Sequence, residues 1–294
     1  MYVATMLTSP ARPTLEAAAV QALRDAWGGG AVRWLAPREA AEFDLATMPE
    51  NLWQVWEELQ ALGVDLAVQQ AAGRRKKMLL ADMDSTMIRQ ECIDELAEAA
   101  GVGAQVKAIT ARAMNGELDF EAALRERVAL LAGQDMRVID DLLESRITLA
   151  RGAQALVATM RANGAHTVLV SGGFTAFAVP VAARLGFDEV RANRLQSAGG
   201  KLTGTVEAPI LGRAAKLEAL EEISARQGIG PEDVLAVGDG ANDLAMLQAA
   251  GTGVALHAKP AVAAQSDIRI NFGDLTALLY LQGYSKADFR ARPH

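Results

Sequence analysis

Residues 77–84 read KMLLADMD, a short apolar run that leads directly into two aspartates. A continuous apolar run of this length is typical of a buried strand in a parallel sheet, because such strands are covered on both faces. Three further segments have the same character, namely HTVLVS at 166–171, DVLAVGD at 233–239 and TGVAL at 252–256. Most of them precede a turn and a helical pattern. The sequence therefore predicts an α/β fold with a doubly wound, Rossmann-like parallel sheet.

The first 73 residues are predicted to form a separate small domain. This segment shows strand patterns at 1–7, 31–35 and 64–68 and helical patterns at 13–27 and 52–62. Strands that alternate with helices over so short a length indicate a ferredoxin-like α/β sandwich. The basic stretch at 73–77 is interpreted as a linker rather than as a nucleic acid site, because the chain as a whole is acidic.

Residues 74–294 are predicted to form a second, larger domain. Its first two strands are separated by a stretch at about 88–150 that has helical patterns and no strand signal. An insertion after the first strand lies over the carboxyl edge of the sheet, where doubly wound folds bind their ligands. We therefore interpret 88–150 as a helical cap over the binding site.

The composition excludes several functional classes. The 294-residue chain has a formal net charge of −7, so neither nucleic acid nor an anionic membrane is an expected partner. The single cysteine, Cys92, excludes an intrachain disulfide and fits a reducing compartment. The N-terminus lacks the features of a signal peptide, and no apolar run is long enough to span a membrane. We expect a cytoplasmic protein in which any anionic substrate binds in a locally positive pocket.

Two acidic clusters follow predicted strands. Asp82 and Asp84 are one residue apart at the end of a strand, so Asp82 can act as a nucleophile toward phosphorus and Asp84 as a neighbouring acid and base. The segment GDGAND at 238–243 follows another strand, and its oxygen side chains suit a hard cation such as Mg²⁺. Each cluster alone is also explained by a solvated strand end or a helix-capping turn. Together they favour a metal site, because carboxylates at one sheet edge repel each other without a cation.

Two further elements fit phosphate chemistry. Ser171-Gly172-Gly173 closes a predicted strand and precedes a helix, where a hydroxyl and glycine amides can hold phosphate oxygens, although a simple glycine turn explains the same pattern. Lys216 begins a helical segment, and alone it would be interpreted as a solvated surface lysine. Lys201, in a predicted hairpin, is the weaker candidate for a phosphate-binding lysine.

In this order, D-x-D-x-T at 82–86, Ser171, Lys216 and G-D-G-x-N-D at 238–243 resemble the motifs of the haloacid dehalogenase (HAD) superfamily. Within it, the chain is similar to the phosphoserine phosphatase family. The supporting segments are ADMDSTMIRQECIDELAEAAG, AMNGELDFEAALRERVALLAG, VSGGF and VGDGANDLAMLQAAGTGVALHAKP. The resemblance covers about 77–272. It departs from many relatives in having Leu217, a large residue, directly after the lysine.

The resemblance implies Mg²⁺-dependent hydrolysis of O-phospho-L-serine to L-serine and phosphate, the last step of serine biosynthesis, through an aspartyl-phosphate intermediate. Asp82 would attack the phosphorus, and Asp84 would protonate the leaving oxygen and then activate water. The metal would be held by Asp82, the backbone carbonyl of Asp84 and Asp239, with Asp243 orienting the site. Substrate binding is implied for Ser171, Gly172, Lys216 and Asn242, of which Ser171 and Lys216 would balance the charge of the transferring group.

The resemblance also implies which cap residues select the substrate. Glu91 would bind the ammonium group, and Arg127 would grip the carboxylate in bidentate fashion. Met114 and Phe120 would shield the closed site from water. Without the resemblance, Glu91 and Arg127 would be interpreted as ordinary charges on a helix surface.

Several alternatives remain open. A HAD enzyme with the same residues could act on another small phosphomonoester or transfer the phosphoryl group from phosphoserine to homoserine. A non-catalytic serine or phosphoserine sensor is a third possibility. The pattern of residues 1–73 resembles small ACT-type domains, which leads to the hypothesis that this domain forms a homodimer interface.

The predicted role of Arg127 can be tested by kinetics. We expect Arg127→Ala to raise KM for O-phosphoserine far more than KM for an aryl phosphate, because only the former presents a carboxylate to the guanidinium. Steady-state kinetics of both proteins on both substrates measure the difference. Equal losses on the two substrates would remove Arg127 from the specificity role.

Overall fold

The structure is a computed structural model that describes residues 1–114 and 117–291. The side chain of Met114, one of the predicted apolar shielding residues, lies outside the described part. In the N-terminal domain, strands and helices follow one another along the chain. Its elements are β1 (Tyr2–Thr8), α1 (Ala17–Ala26), β2 (Arg33–Ala36), β3 (Ala40–Leu45), α2 (Leu52–Gln60) and β4 (Val64–Gln70).

These elements form a four-stranded antiparallel sheet in the order β2-β3-β1-β4. The β-α-β-β-α-β succession is the ferredoxin-like arrangement, so the predicted fold of this segment is confirmed. On β1, Met6 packs in a cluster with residues of α1 and α2, whereas Leu7 packs in the core of the larger domain. The two-residue period of the strand thus gives the sheet one face toward its own helices and one toward its neighbour.

Strand β3 was not predicted, because the sequence analysis assigned no element between residues 36 and 51. Its sequence, AAEFDL, alternates, since Ala41, Phe43 and Leu45 pack in the core of the N-terminal domain while Glu42 and Asp44 are on the opposite face. Glu42 is nevertheless buried, since its carboxylate accepts bonds from Arg33 (3.0 Å) and Arg74 (2.6 and 2.9 Å). A charged residue enters this sheet because two guanidinium groups satisfy it.

The larger domain contains a six-stranded sheet, a helical insertion and a β-hairpin. In chain order its elements are β5 (Met78–Ala81), α3 (Cys92–Ala99), α4 (Gly103–Met114), α5 (Phe120–Ala129), α6 (Arg137–Ser145), α7 (Ala153–Ala162), β6 (His166–Phe174), α8 (Thr175–Leu185), β7 (Glu189–Asn193), β8 (Leu195–Ala198), β9 (Lys201–Val206), α9 (Arg213–Gln227), β10 (Val234–Gly238), α10 (Leu244–Ala249), β11 (Thr252–Leu256), α11 (Pro260–Ala263), β12 (Ile268–Ile270) and α12 (Ala277–Leu281).

The large sheet is parallel throughout and has the order β12-β11-β10-β5-β6-β7. Leu79 of β5 is in a cluster with residues of α7, α8 and α12, and Leu80 is in a second cluster with residues of α9 and α10. Helices therefore cover both faces, and the predicted doubly wound fold is confirmed. After β5 the chain adds β6 and β7 on one side and β10 to β12 on the other. The carboxyl end of β5 is thus beside the switch point where such sheets bind ligands.

Helices α3 to α6 form an insertion between β5 and α7. Its two ends run side by side, because Ile88 and Leu149 form an antiparallel bridge and the N–H of Ala150 donates to the carbonyl of Met87 at 2.9 Å. Helix α5 also packs against β9 of the hairpin. In the described part of the chain, no helix has the length and apolar character needed to cross a membrane.

The two domains meet through a buried carboxylate. Asp65 on β4 has no exposed surface, and its oxygens accept the backbone N–H groups of Asn271, Phe272 and Gly273 at 2.8, 3.0 and 2.8 Å. Burial raises the pKa of Asp65, and the three N–H donors oppose that rise. The segment after β12 is therefore bonded to the N-terminal sheet through Asp65, and Asn271 also donates to Oε1 of Gln60 at 2.7 Å.

We predict that Asp65→Ala lowers the free energy of unfolding by about 2–4 kcal/mol, because three buried N–H groups lose their acceptor. Asp65→Asn should lose less, since its amide oxygen still accepts. Urea unfolding of the full chain measures both values. The control is Asp25→Ala, an exposed residue that forms an ion pair with its neighbour Arg24, which should change stability by less than about 0.5 kcal/mol. An equally small effect at Asp65 would contradict its role at the domain junction.

Candidate active site

The predicted nucleophile and acid lie at the carboxyl end of the central strand. Asp82 follows β5 directly, and its N–H donates to the carbonyl of Val237 on β10 at 3.0 Å. The chain then turns, with the N–H of Met87 bonded to the carbonyl of Met83 at 2.9 Å. Asp82 and Asp84 both line a cavity of about 250 Å³ between the sheet edge and the insertion. The one-residue spacing therefore brings both carboxyl groups to the same site.

Lys216 lies between two aspartates in the buried part of the site. Its Nζ is 2.6 Å from Oδ1 of Asp82 and 2.5 Å from Oδ1 of Asp243, and its side chain is almost fully buried. Burial alone would lower the pKa of Lys216, but the two carboxylates outweigh it and the pKa is raised. The lysine is thus held in its charged form. The structure brings Lys216 to Asp82, whereas Lys201 is an exposed residue of β9.

Three carboxylates form a compact group that could hold a metal ion. One oxygen from each of Asp82, Asp239 and Asp243 lies within 4.8 Å of the others, and all three residues are buried. Asp243 also accepts the N–H groups of Asp239 (3.1 Å) and Gly240 (2.9 Å), which fixes the loop after β10. The carboxylate of Asp84 is outside this group, and the sequence analysis assigned metal binding to its backbone carbonyl instead.

The charge balance of this group fits a cation. Burial raises the pKa of Asp239 to about 6, and the nearby Asp243 adds to the shift. Burial also raises the pKa of Asp82 despite its contact with Lys216. One lysine does not neutralise three buried carboxylates, and oxygen ligands are those that hard divalent cations prefer. The donor set therefore fits a divalent metal ion.

Asp84 has the surroundings of a proton-transfer group. Its Oδ1 accepts the N–H of Cys92 at 2.9 Å, and its Oδ2 accepts the hydroxyl of Ser171 at 3.2 Å. Burial raises the pKa of Asp84 to about 6, and the charge of Glu91 adds to the shift. A carboxyl group with a pKa near neutrality can both give and take a proton at ordinary pH.

Ser171, Gly172 and Gly173 lie within β6, whose last residue is Phe174. As predicted, they lie at the end of a strand and precede a helix, because α8 begins at Thr175. The strand continues, with a shift of register against β7 between Val170 and Phe174. The backbone N–H groups of this segment that could bind phosphate therefore belong to an irregular strand end and not to a helix N-terminus.

The side chain of Asn193 holds this irregular segment. Its Nδ2 donates to the carbonyls of Gly172 (2.9 Å) and Leu211 (3.3 Å), and its Oδ1 accepts the N–H of Leu211 at 2.7 Å. Gly173 must be a glycine, since a Cβ there would lie 2.8 Å from Oδ2 of Asp84. The absence of a side chain thus allows β6 to approach Asp84 closely.

Most of the predicted site residues line the cavity. The lining residues that the sequence analysis named are Asp82, Asp84, Glu91, Phe120, Arg127, Gly172, Asp239 and Asn242. Ser171, Lys216 and Asp243 are buried around it and bond to Asp84, Asp82 or each other. The structure therefore brings the predicted residues together, apart from the side chain of Met114.

Glu91 and Arg127 approach the cavity from two helices of the insertion. Glu91 precedes α3, and its Oε1 accepts the hydroxyl of Ser85 at 2.7 Å. Arg127 is largely buried on α5, where its Nε donates to the carbonyl of Ala123 at 3.1 Å. Burial lowers the pKa of Arg127. Within residues 1–114 and 117–291, its guanidinium has no carboxylate within 4.0 Å, so its terminal nitrogens are available to a ligand.

The sequence analysis missed four residues at this site. Arg213 and Lys259 line the cavity and add positive charge. Arg213 could have been recognised, because it precedes Lys216 by three residues and so lies on the same helix face. Thr86 donates to Oδ1 of Asp239 at 3.2 Å, and Ser85 donates to Glu91. Ser85 has φ of 55°, a left-handed conformation that is uncommon outside glycine.

Comparison with known proteins agrees with this geometry. The family model described as haloacid dehalogenase-like hydrolase matches residues 79–248. A phosphoserine phosphatase of Streptomyces coelicolor is 43% identical over 237 residues, which cover 80% of this chain and 57% of that protein. The chain also spans less than two thirds of the length of several other curated phosphoserine phosphatases that it matches.

Two solved structures are similar over different parts of the chain. A HAD family hydrolase from Salmonella enterica subsp. enterica serovar Typhi has a TM-score of 0.85 and 30% identity, and the match covers 96% of this chain and 98% of that one. A substrate-bound phosphoserine phosphatase complex has a TM-score of 0.65 and 42% identity, covering 70% of this chain and 97% of that one. The chain belongs to the haloacid dehalogenase-like hydrolases, and within that family it is similar to phosphoserine phosphatases.

Proposed function

We propose that this protein is a phosphoserine phosphatase that hydrolyses O-phospho-L-serine to serine and phosphate with the help of Mg²⁺. The observation that carries the proposal is the composition of the cavity wall. Asp82 and Asp84 lie at the sheet edge, while Glu91 and an arginine with free terminal nitrogens, Arg127, reach the same cavity from the insertion. A phosphate, an ammonium and a carboxylate on one small molecule would find complementary groups there.

Two displacements on phosphorus describe the proposed reaction. A carboxylate oxygen of Asp82 attacks the phosphorus, the bond between phosphorus and the serine oxygen breaks, and Asp84 donates a proton to that oxygen. Asp84 then accepts a proton from water as the water attacks the aspartyl-phosphate. This second displacement releases phosphate and restores the Asp82 carboxylate. The proton that Asp84 donates in the first step is thus regained in the second.

Charge neutralisation is the main demand of phosphoryl transfer. Asp82, Asp239 and the backbone carbonyl of Asp84 would hold Mg²⁺, which supplies positive charge to the phosphoryl oxygens when bound. Lys216 holds the nucleophile in place through its bond to Asp82. Ser171, together with the amides of β6, would bind phosphoryl oxygens.

Three side chains, those of Glu91, Ser85 and Arg127, would recognise the serine part of the substrate. The carboxylate of Glu91 would bind the ammonium group, and the bond from Ser85 holds that carboxylate in one orientation. Arg127 would bind the carboxylate of the substrate. Phe120 covers the phosphate side, since a Cβ on Gly172 would lie 3.2 Å from its Cζ.

The relatives support the proposed substrate, because the similar curated proteins are named phosphoserine phosphatases and one similar structure is of a substrate-bound complex. A role in serine biosynthesis and a cytoplasmic location extend the proposal. The boundaries of the domains at residue 73 and of the cap at about 88–150 are part of it as well. The homodimer stays a prediction, and light scattering of the full chain would test it.

The first experiment measures phosphate release from O-phosphoserine by the purified chain with Mg²⁺. We expect release to stop with excess chelator and to return when Mg²⁺ is restored. Asp82→Asn keeps the size of the side chain but removes the nucleophile, so the rate should fall by about 10³-fold or more. Phosphothreonine and a sugar phosphate should be poorer substrates.

Other outcomes would favour the alternatives. If the protein hydrolyses other phosphomonoesters but not phosphoserine, it is still a HAD phosphatase, and the proposed roles of Glu91 and Arg127 are wrong. Formation of phosphohomoserine on addition of homoserine would identify a phosphotransferase. Binding of phosphoserine without any turnover would identify a sensor, and it would contradict the proposed enzyme.

A second experiment tests whether Ser85 orients Glu91. We expect Ser85→Ala to raise KM for O-phosphoserine by about tenfold with a smaller change in kcat, because a hydrogen bond to a charged group is lost. The KM for phospholactate, which lacks the ammonium group, should stay the same. Ser85→Gly is the matched control, since glycine adopts φ of 55° without strain but also lacks the hydroxyl. If Ser85→Gly restores the wild-type KM, backbone strain rather than the hydroxyl is responsible.

A further inference from the structure

A second cavity of about 540 Å³ lies between the N-terminal domain and the larger domain that contains the active-site cavity. We call it the interdomain cavity. It is formed by the loop after β1, the turn after β5, the return end of the insertion, and the segments after β11 and β12. The turn after β5 borders both cavities, since Asp82 and Asp84 line the active-site cavity while Ser85 and Thr86 line this one.

The wall of the interdomain cavity carries unpaired positive charge. Arg89 and Arg151 line it, and in the described part of the chain neither side chain forms an ion pair or a hydrogen bond. Asp274 is the acidic residue of the described wall, and its Oδ1 is already engaged by the N–H and hydroxyl of Thr276 at 2.8 and 2.6 Å. The cavity wall therefore carries two guanidinium groups that have no carboxylate partner in the described part of the chain.

Neutral donors supplement the two arginines. Ser9 from the N-terminal domain and Ser85 and Thr86 from the turn after β5 also line the wall, and the hydroxyls of Ser85 and Thr86 already donate to Glu91 and Asp239. His257 also lines the cavity, with Nε2 at 2.7 Å from the carbonyl of Gly273. Guanidinium groups and hydroxyls are the groups that bind carboxylate and phosphate oxygens in proteins.

We propose that the interdomain cavity is a second binding site, which takes a small organic anion bearing a carboxylate or a phosphate group. Arg89 and Arg151 bind its oxygens, and Ser9 adds a contact from the other domain. The site requires both domains, because neither alone supplies the whole wall. Its occupant therefore also stabilises the junction between them.

The bound anion acts on the active site through the turn that the two cavities share. The hydroxyl of Ser85 bonds to Glu91, and the hydroxyl of Thr86 bonds to Asp239. An anion that competes for either hydroxyl changes the position of a residue lining the active-site cavity. By thermodynamic linkage, occupation of the active site changes the affinity for the anion to the same degree.

Calorimetric titration of the full chain in Mg²⁺-free buffer tests the site, with sodium sulfate and sodium malonate as separate probes. We expect one equivalent of at least one probe to bind, and its Kd to rise about tenfold in Arg89→Ala and in Arg151→Ala. Binding of sulfate alone would identify a phosphate-type ligand, and binding of malonate alone a carboxylate-type ligand. Both arginines are exposed, so both variants should fold as the wild type does.

Two control variants locate the bound anion. Arg127→Ala removes an arginine from the active-site cavity, and Lys201→Ala removes an exposed charge from the hairpin; neither should change this Kd. If Arg127→Ala weakens binding while Arg89→Ala and Arg151→Ala do not, the anion occupies the active site and the proposal is overturned. If neither probe binds at concentrations up to about 10 mM, which is far above the micromolar range, the proposal is also overturned. The titration requires no turnover, so it is independent of the proposed phosphatase activity.

Discussion

The active site is organised around the contact of Lys216 with Asp82 and Asp243. An ion pair inside a protein loses hydration, and it is retained only where geometry and further hydrogen bonds compensate for that loss. Here the lysine reaches both carboxylates at 2.5–2.6 Å, and Asp243 is bonded in addition to two backbone N–H groups. Three elements, the ends of β5 and β10 and the first turn of α9, are thereby joined at one point. Replacing any one of these side chains leaves the others charged and buried, so the arrangement is constrained as a unit.

The apolar runs predicted the parallel sheet well, because strands covered on both faces have few alternatives to continuous apolar sequence. The aspartates were predicted for a related reason, since carboxyl ends of parallel strands meet at one edge. Strand β3 was missed although Ala41, Phe43 and Leu45 alternate with acidic residues, whereas the burial of Glu42 against Arg33 and Arg74 is a feature that no local pattern reveals. The edge strands β7 and β12 were also missed, as one is polar and the other has three residues.

The remaining differences arise from contacts between distant parts of the chain. The extension of β6 through Gly173 depends on Asn193, whose side chain holds the strand carbonyl. The left-handed backbone of Ser85 and its bond to Glu91 depend on the turn after β5 and on the start of α3 together. The junction at Asp65 joins residues more than two hundred positions apart. Sequence periodicity describes which faces are apolar, but it contains no information about these partners.

The pairing of β5 has a consequence for how the protein folds. In the register of the sheet, Met78 lies beside His166 on one side and Val234 on the other. The strand that carries the aspartates thus has no nearby partner in sequence, and contacts of this kind form slowly because long loops must close first. During synthesis, the N-terminal sheet can assemble from local segments well before β10 has been made. The reactive carboxylates are consequently brought together only late, when nearly the whole chain is present.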